Sequence, residues 1–263
     1  AKIPLMIGID GEWGLQMRLD STVRYPRQMT LAASGNPYLA NVMGKAIAQN
    51  CKRLGIQINF APSVDINTNP SNPIICNRSF GERREEVTKF GLEYMLGMQS
   101  EHVLACAKHF PGHGNTSTDS HYVLPLVTAD SLQLDSVELY PFRQLIKKGV
   151  ASVMVAHLYV PALDSTGKKA CSLSPLVVDS LLKGKEGFNG LVFTDALNMK
   201  GVADYFEPGE LELKAFLAGN DVLLYSDNID KGIERISSAV ADSTIAESDL
   251  NNRVRKILMA KYW

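Results

Sequence analysis

The chain reads as an α/β protein built on parallel strands, and three observations predict that class. Short apolar runs alternate with amphipathic helical stretches from end to end, with no break in composition between them. The runs lack a strict polar alternation, as strands do when helices cover both faces of a sheet. Polar residues gather just after nearly every run, at Asp10, Asp65, Lys108-His109, His157 and Asp195. Working groups supplied by many strand ends are the habit of a (β/α)8 TIM-like barrel.

The expected strands are Ile3–Ile9, Gly55–Phe60, Val103–Ala107, Val150–Ala156, Gly190–Phe193 and Asp221–Leu224. Each is bounded by polar residues, Gly or Pro. The helical patterns between them run over Pro37–Leu54, Glu85–His102, Ser131–Lys148, Pro175–Leu182, Glu210–Ala218 and Asp230–Ala241, with a last helix over Ser248–Tyr262. Asp130 or Ser131, and Ser174-Pro175, suit helix starts, while Gly149 and Gly219 suit helix ends. An open doubly wound sheet would also hold six strands, but it calls for a Gly-rich phosphate turn after the first. The turn here is Asp10-Gly11-Glu12-Trp13-Gly14, which lacks that pattern. The expectation is therefore one barrel domain over residues 1–263 whose first one or two β/α units precede Ala1.

Composition narrows the function. The 263 residues carry a net charge of −1, without the basic excess of a nucleic-acid surface. Four cysteines (Cys51, Cys76, Cys106, Cys171) lie far apart, with no C-x-x-C pair and no disulfide framework. No apolar run reaches the roughly 18 residues of a membrane span. No signal peptide is visible, the chain opens without an initiator Met, and cytoplasmic and periplasmic locations both fit.

The densest chemistry lies in Lys108-His109-Phe110-Pro111-Gly112-His113-Gly114, followed by Asp119-Ser120-His121. Pro111 and the glycines forbid a regular helix, so the apolar strand delivers its polar groups onto a loop. Asp119 and His121 are two apart and point the same way on an extended loop, so the carboxylate can orient the imidazole as a general acid/base; a local hydrogen bond without a catalytic role is the plainer reading. Asp195, at the end of Leu191–Thr194, is either a helix N-cap or a carboxylate facing the barrel mouth as nucleophile or charge stabiliser. Asp10, Arg18, Arg78, Lys108 and His109 complete the polar candidates, and Trp13 is core or a sugar-stacking face. A metal site from His109, His113, His121 and Asp119 is disfavoured, because the i,i+4 pair needs the helix that Pro111-Gly112 break. Serine-hydrolase chemistry has no G-x-S-x-G, and Ser165-Thr166-Gly167-Lys168 lies in a polar loop. No cofactor is called for.

Together these residues resemble glycoside hydrolase family 3, and within it the bacterial β-N-acetylglucosaminidase branch. Lys108–Gly114 resembles that branch's K-H-F-P-G-H-G run, Thr116 to Pro125 its acid/base loop, and Phe193-Thr194-Asp195-Ala196-Leu197-Asn198-Met199 its nucleophile segment. Asp10 and Arg18 resemble the pair that binds sugar hydroxyls, and Arg78 with Lys108-His109 the rest of that grip. The resemblance covers essentially the whole chain. One departure stands out: the family's D-x-E-G-G-R has Trp13 in place of a Gly and Leu15 in place of the Arg, which reshapes the sugar pocket or its aglycone side.

The resemblance implies a retaining hydrolysis of terminal β-linked N-acetylglucosamine, with peptidoglycan fragments as a source. Asp195 is the implied nucleophile, and His121 held by Asp119 the implied acid/base. It implies a small carbohydrate partner and room for a further domain in the full-length protein. Another β-glycosidase or a glycoside phosphorylase is the alternative within the class. A non-catalytic carbohydrate-binding barrel is the alternative outside it.

Overall fold

The computed structural model describes residues 3–117 and 124–263, so Asp119 and His121 lie outside the described residues. The chain forms two compact units, one from residues 1–115 and 132–153, the other from 116–131 and 154–263.

In the first unit, β1 (Gly8–Ile9), β2 (Ile58–Asn59) and β3 (Leu104–Phe110) lie side by side and parallel, Gly8 opposite Ile58 and Ile58 opposite Leu104. The pairing continues past β2, where the Cys106 N–H donates to the Ala61 carbonyl and the Val64 N–H to that of Lys108. Every residue of β3 is buried, as its uninterrupted apolar start demands. The first expected strand is much shorter than its apolar run. Ile3, Leu5 and Ile7 are exposed, and only Gly8–Ile9 pairs, with β2. Hydrophobicity alone does not make a strand where no neighbour supplies the ladder.

The first helix, α1 (Gln28–Ala32), is a single turn that the periodicity did not flag. The long helices α2 (Tyr38–Arg53) and α3 (Arg84–Gln99) match their expected spans closely. They cross with little room. A Cβ on Gly97 would stand 2.0 Å from the Asn41 carbonyl oxygen, and one on Gly44 2.3 Å from that of Tyr94. Small residues there let the two backbones approach directly. The stretch Ser131–Lys148 is three pieces in register, α4 (Ser131–Gln133), a π turn (Leu134–Glu138) and α5 (Leu139–Lys147). Pro141 has no N–H for the Val137 carbonyl, and the helix widens just ahead of it. Gly149, at φ +80°, ends α5 as expected.

Strand β4 (Ser152–Val155) begins in the first unit, where the Ser152 hydroxyl donates to the Ala105 carbonyl, and ends in the second. There β5 (Leu191–Thr194) leads to Asp195, whose N–H donates to the Val155 carbonyl. The sixth expected strand is a correction: residues 221–224 make one parallel bridge, Val222 with Phe193, rather than a strand. Asp221 intervenes, its carboxylate taking the Val192 N–H and the Lys256 ammonium. A π-helical stretch (Leu176–Lys185), α6 (Lys200–Ala203), α7 (Glu210–Leu217), α8 (Ile229–Ala241) and α9 (Glu247–Tyr262) complete this unit. Its core joins Leu173, Leu197, Val202, Leu211 and Ala215. Among the described residues no helix is long and apolar enough to cross a membrane.

Candidate active site

The charges of the first unit meet in the loops that follow its strands. Asp10 lies one residue beyond β1. Lys108, near the end of β3 and 2% exposed, reaches back to it. Its Nζ stands 2.8 Å from Asp10 Oδ1 and 2.9 Å from Glu12 Oε1. Arg78 clasps Glu12 with a two-pronged fork, Nη2 to Oε1 at 2.7 Å and Nε to Oε2 at 3.1 Å. The same Nη2 lies 3.2 Å from His109 Nε2, and His109 Nδ1 lies 2.7 Å from Asp65 Oδ2. A guanidinium only donates, so Nε2 accepts and Nδ1–H donates to Asp65. Asp65 also takes the backbone N–H of His113 at 2.7 Å and of His109 at 3.1 Å. Arg18 stays at the rim, more than half exposed and 3.4 Å from Asp10.

These bonds explain the electrostatics. Burial alone would raise the Glu12 carboxyl, but the Arg78 and Lys108 cations hold it well below the usual carboxylate range. Burial likewise works against ionised Asp65, and His109 and His113 outweigh it. Asp10 is lowered too, burial being overcome by Lys108. For Lys108, burial is outweighed by Glu12 and Asp10, which push its ammonium up and keep it charged. Three carboxylates (Asp10, Glu12, Asp65) therefore face three cations (Arg18, Arg78, Lys108), and the cluster as a whole carries little charge.

The five grip candidates Asp10, Arg18, Arg78, Lys108 and His109 thus stand in one connected chain of contacts. Glu12 and Asp65 bind that chain together; Asp65 is marked in the sequence only by its place after a strand, and neither is among the grip candidates. Their signal in the sequence is a carboxylate in an otherwise uncharged setting, Gly11-Glu12-Trp13 and Val64-Asp65-Ile66. Such a group is stable only with partners waiting. The first loop is also pinned from below. Asn59, fully buried in β2, bonds both the N–H and the carbonyl of Gly11, and the Tyr94 hydroxyl donates to the Glu12 carbonyl. Trp13 is half-buried with the Arg27 guanidinium 4.5 Å over its ring, and Arg27 in turn donates to Asn77, the neighbour of Arg78. One face of the indole is therefore taken by a cation. Leu15 lies in the core, so the position that departs from the family's Arg is filled by packing.

In the second unit the turn after β5 is held differently. Asp195 Oδ1 accepts the Ala196 N–H at 2.9 Å. His157, fully buried, bridges the Ser172 hydroxyl at Nδ1 (2.6 Å) and the Ala196 carbonyl at Nε2 (3.0 Å). The carbonyl must receive a proton, so Nε2–H donates and Nδ1 accepts. Burial pushes the His157 imidazole down, with the Asp195 charge opposing, which suits the neutral ring these bonds require. The following helix starts only at Lys200, with Met199 before it. Asp195 is therefore not an N-cap, and the plainer reading of its position is removed. Asp119 and His121 lie outside the described residues. Among the described residues no group of three His, Cys, Asp or Glu side chains is placed to hold a metal ion.

Comparison with known proteins gives a consistent picture. The glycosyl hydrolase family 3 N-terminal domain matches residues 1–260. A β-hexosaminidase A of Pseudoalteromonas piscicida is 37% identical over 240 residues, covering 85% of this chain and 40% of that protein. A β-N-acetylglucosaminidase/β-glucosidase of Cellulomonas fimi is 31% identical, covering 99% of this chain and 48% of that protein. The chain thus spans about half the length of these relatives. Among solved structures, a family 3 β-N-acetylglucosaminidase of Paenibacillus sp. FPU-7 superposes with a TM-score of 0.95 at 39% identity, over 99% of this chain and 50% of that one. A β-glucoside phosphorylase superposes with a TM-score of 0.91 at 25% identity, over 100% of this chain and 49% of that one. The fold class is accordingly α/β, a partial (β/α)8-type barrel.

Proposed function

This chain belongs to glycosyl hydrolase family 3 through its N-terminal domain, and we propose that the protein carrying it is a retaining exo-β-N-acetylglucosaminidase. The observation behind this reading is the charge-balanced cluster of Asp10, Glu12, Asp65, Arg18, Arg78 and Lys108. An anionic ligand would call for surplus cations, and a metal for surplus carboxylates. Matched charges offering fixed donors and acceptors suit a neutral, hydroxyl-rich ring. Relatives named β-hexosaminidase support the N-acetylated sugar over plain glucose.

In the reaction, Lys108, Asp10, Arg18, Arg78 and His109 grip the non-reducing sugar by its hydroxyls. The Asp195 carboxylate attacks the anomeric carbon as the aglycone oxygen leaves, forming a glycosyl ester. His121, oriented by Asp119, gives its proton to that oxygen and then takes one from the incoming water, which releases the sugar with retained configuration. Fragments of peptidoglycan, with their β-linked N-acetylglucosamine ends, are the proposed natural source. A second reading keeps the same first step with inorganic phosphate replacing water. A neutral imidazole does not repel an anion as a carboxylate base would, and a phosphorylase stands among the structural neighbours.

Assay of the intact protein on aryl β-N-acetylglucosaminide and β-glucoside, with and without phosphate, tests both readings. Faster turnover of the N-acetylated substrate, with free sugar as product, is expected. Release of sugar 1-phosphate would select the second reading. Saturable sugar binding without turnover would replace both with a carbohydrate-binding role.

A further inference from the structure

One buried carboxyl beside the sugar cluster has no part in the reaction above. Glu138 closes the π turn ahead of α5 and is 1% exposed. Among the described residues neither of its oxygens has a hydrogen-bond partner. Its carboxyl lies against the loop that follows β3. A Cβ on Gly112 would stand 2.8 Å from Glu138 Oε2, so this position, at φ +133°, has no room for a side chain. Asp65 holds the same loop through the N–H groups of His109 and His113. The His109–His113 segment therefore touches two carboxyls in opposite circumstances, one saturated with donors and one with none.

Among the described residues, the neighbouring charged groups make bonds that run elsewhere. Asp65 and the His109 ring bond each other, and the His113 N–H serves Asp65. Arg84 on α3 binds Glu85 and the Ser136 carbonyl, and Arg143 on α5 pairs with Asp135. None of these bonds reaches Glu138. A carboxylate in that position would be an uncompensated buried charge next to a second one, whereas a carboxylic acid fits.

We propose that Glu138 is a positioning residue, holding the His109–His113 loop in its sugar-gripping arrangement only while its carboxyl carries a proton. When the proton leaves, the new charge faces Asp65 without a partner. Water entering under Gly112, or a shift of the π turn, relieves it, and either event moves the loop. Burial, together with the Asp65 charge, pushes this carboxyl up to about 8, which puts the release just above neutrality. The consequence for catalysis rests on the reading of this loop as part of the sugar grip. The protonation and the loop response do not.

The test compares the intact wild-type protein with Glu138→Gln between pH 5 and pH 9. Folded Glu138 keeps a proton that the unfolded chain gives up near 4.5, so its contribution to stability falls as pH rises from there to about 8. The wild-type melting temperature should show that decline and the Gln variant should lack it. Above pH 8 the backbone amides of residues 109, 110, 112 and 113 should lose exchange protection in the wild type and keep it in the variant. The KM for an aryl β-N-acetylglucosaminide should then rise several-fold in the wild type alone, with kcat little changed. Equal melting slopes would overturn the proposal, as would a slope difference without any difference in amide protection. Absence of turnover in both proteins, with the melting and exchange differences present, would refute the glycosidase reading and leave this one standing. If the Gln variant does not fold, infrared difference spectra of the wild type decide. A protonated-carboxyl band present at pH 6 and gone at pH 9 supports the proposal, and its absence at pH 6 overturns it.

Discussion

The strand ends of the two units hold their polar groups by contrasting means. After β1, β2 and β3, six charged side chains and an imidazole partner one another, and every carboxylate meets a cation or donor. After β5, the Asp195 carboxylate takes the Ala196 N–H on a turn steadied by a neutral histidine, which spends both nitrogens on a hydroxyl and a backbone carbonyl. The first arrangement fixes geometry, with Glu12 and Asp65 held ionised by their partners. In the second, the neighbouring histidine bonds the backbone of the turn rather than the carboxylate. On the proposed reading, sugar binding and bond-making rest on these two different electrostatic designs.

Substitutions sharpen that contrast. Asp195→Asn removes the reacting atom and should lower kcat/KM on the order of 10⁴-fold while leaving the melting temperature nearly unchanged. Retained turnover would dismiss it as nucleophile. Lys108→Met should do the reverse, unfolding the protein more easily by about 3–5 kcal/mol, because Asp10 and Glu12 lose the cation between them. Denaturant titration measures that loss, and a change below about 1 kcal/mol would mean the network is not held as described. His157→Gln should act between these extremes. Loosening the turn under Asp195 should cut kcat about tenfold with KM unchanged, as expected for misplacement of an attacking group. Arg18→Ala, at the exposed rim, should cost less than about 1 kcal/mol of stability and raise KM modestly.

Acid sharpens it further. Glu12 and Asp65 are held below the ordinary range, so the stability they contribute is complete above their unfolded values near 4 and is lost as pH falls through the lower folded ones. Glu138 has the opposite sign, its contribution declining as pH rises toward 8. A melting curve measured across both ranges should therefore descend on each side, and Glu138→Gln should flatten only the alkaline side.

The sequence made some of this legible for identifiable reasons. Strand β3 and its polar end were readable because an unbroken apolar run stops at a lysine, a histidine and a Pro-Gly pair, a juxtaposition with few physical outcomes. Helices α2 and α3 were readable from their apolar spacing. Glu12 and Asp65 were not, because a carboxylate's value lies in partners 66 and 44 positions away, Arg78 and His109. Glu138 lay inside the one helix expected over Ser131–Lys148, where nothing in the spacing marked the π turn that it closes. The first and last expected strands shortened because pairing needs a neighbouring strand and yields to competing side chains such as Asp221, and hydrophobicity encodes neither.

The central claim is that Asp195 forms a bond to the sugar. Incubating the intact protein with an activated, fluorine-substituted N-acetylglucosaminide, then quenching in acid and mapping peptides by mass spectrometry, tests it directly. The expected result is one sugar adduct on the peptide containing Asp195. An adduct on Asp10 or another carboxylate, or turnover of the reagent with no adduct at all, would contradict it.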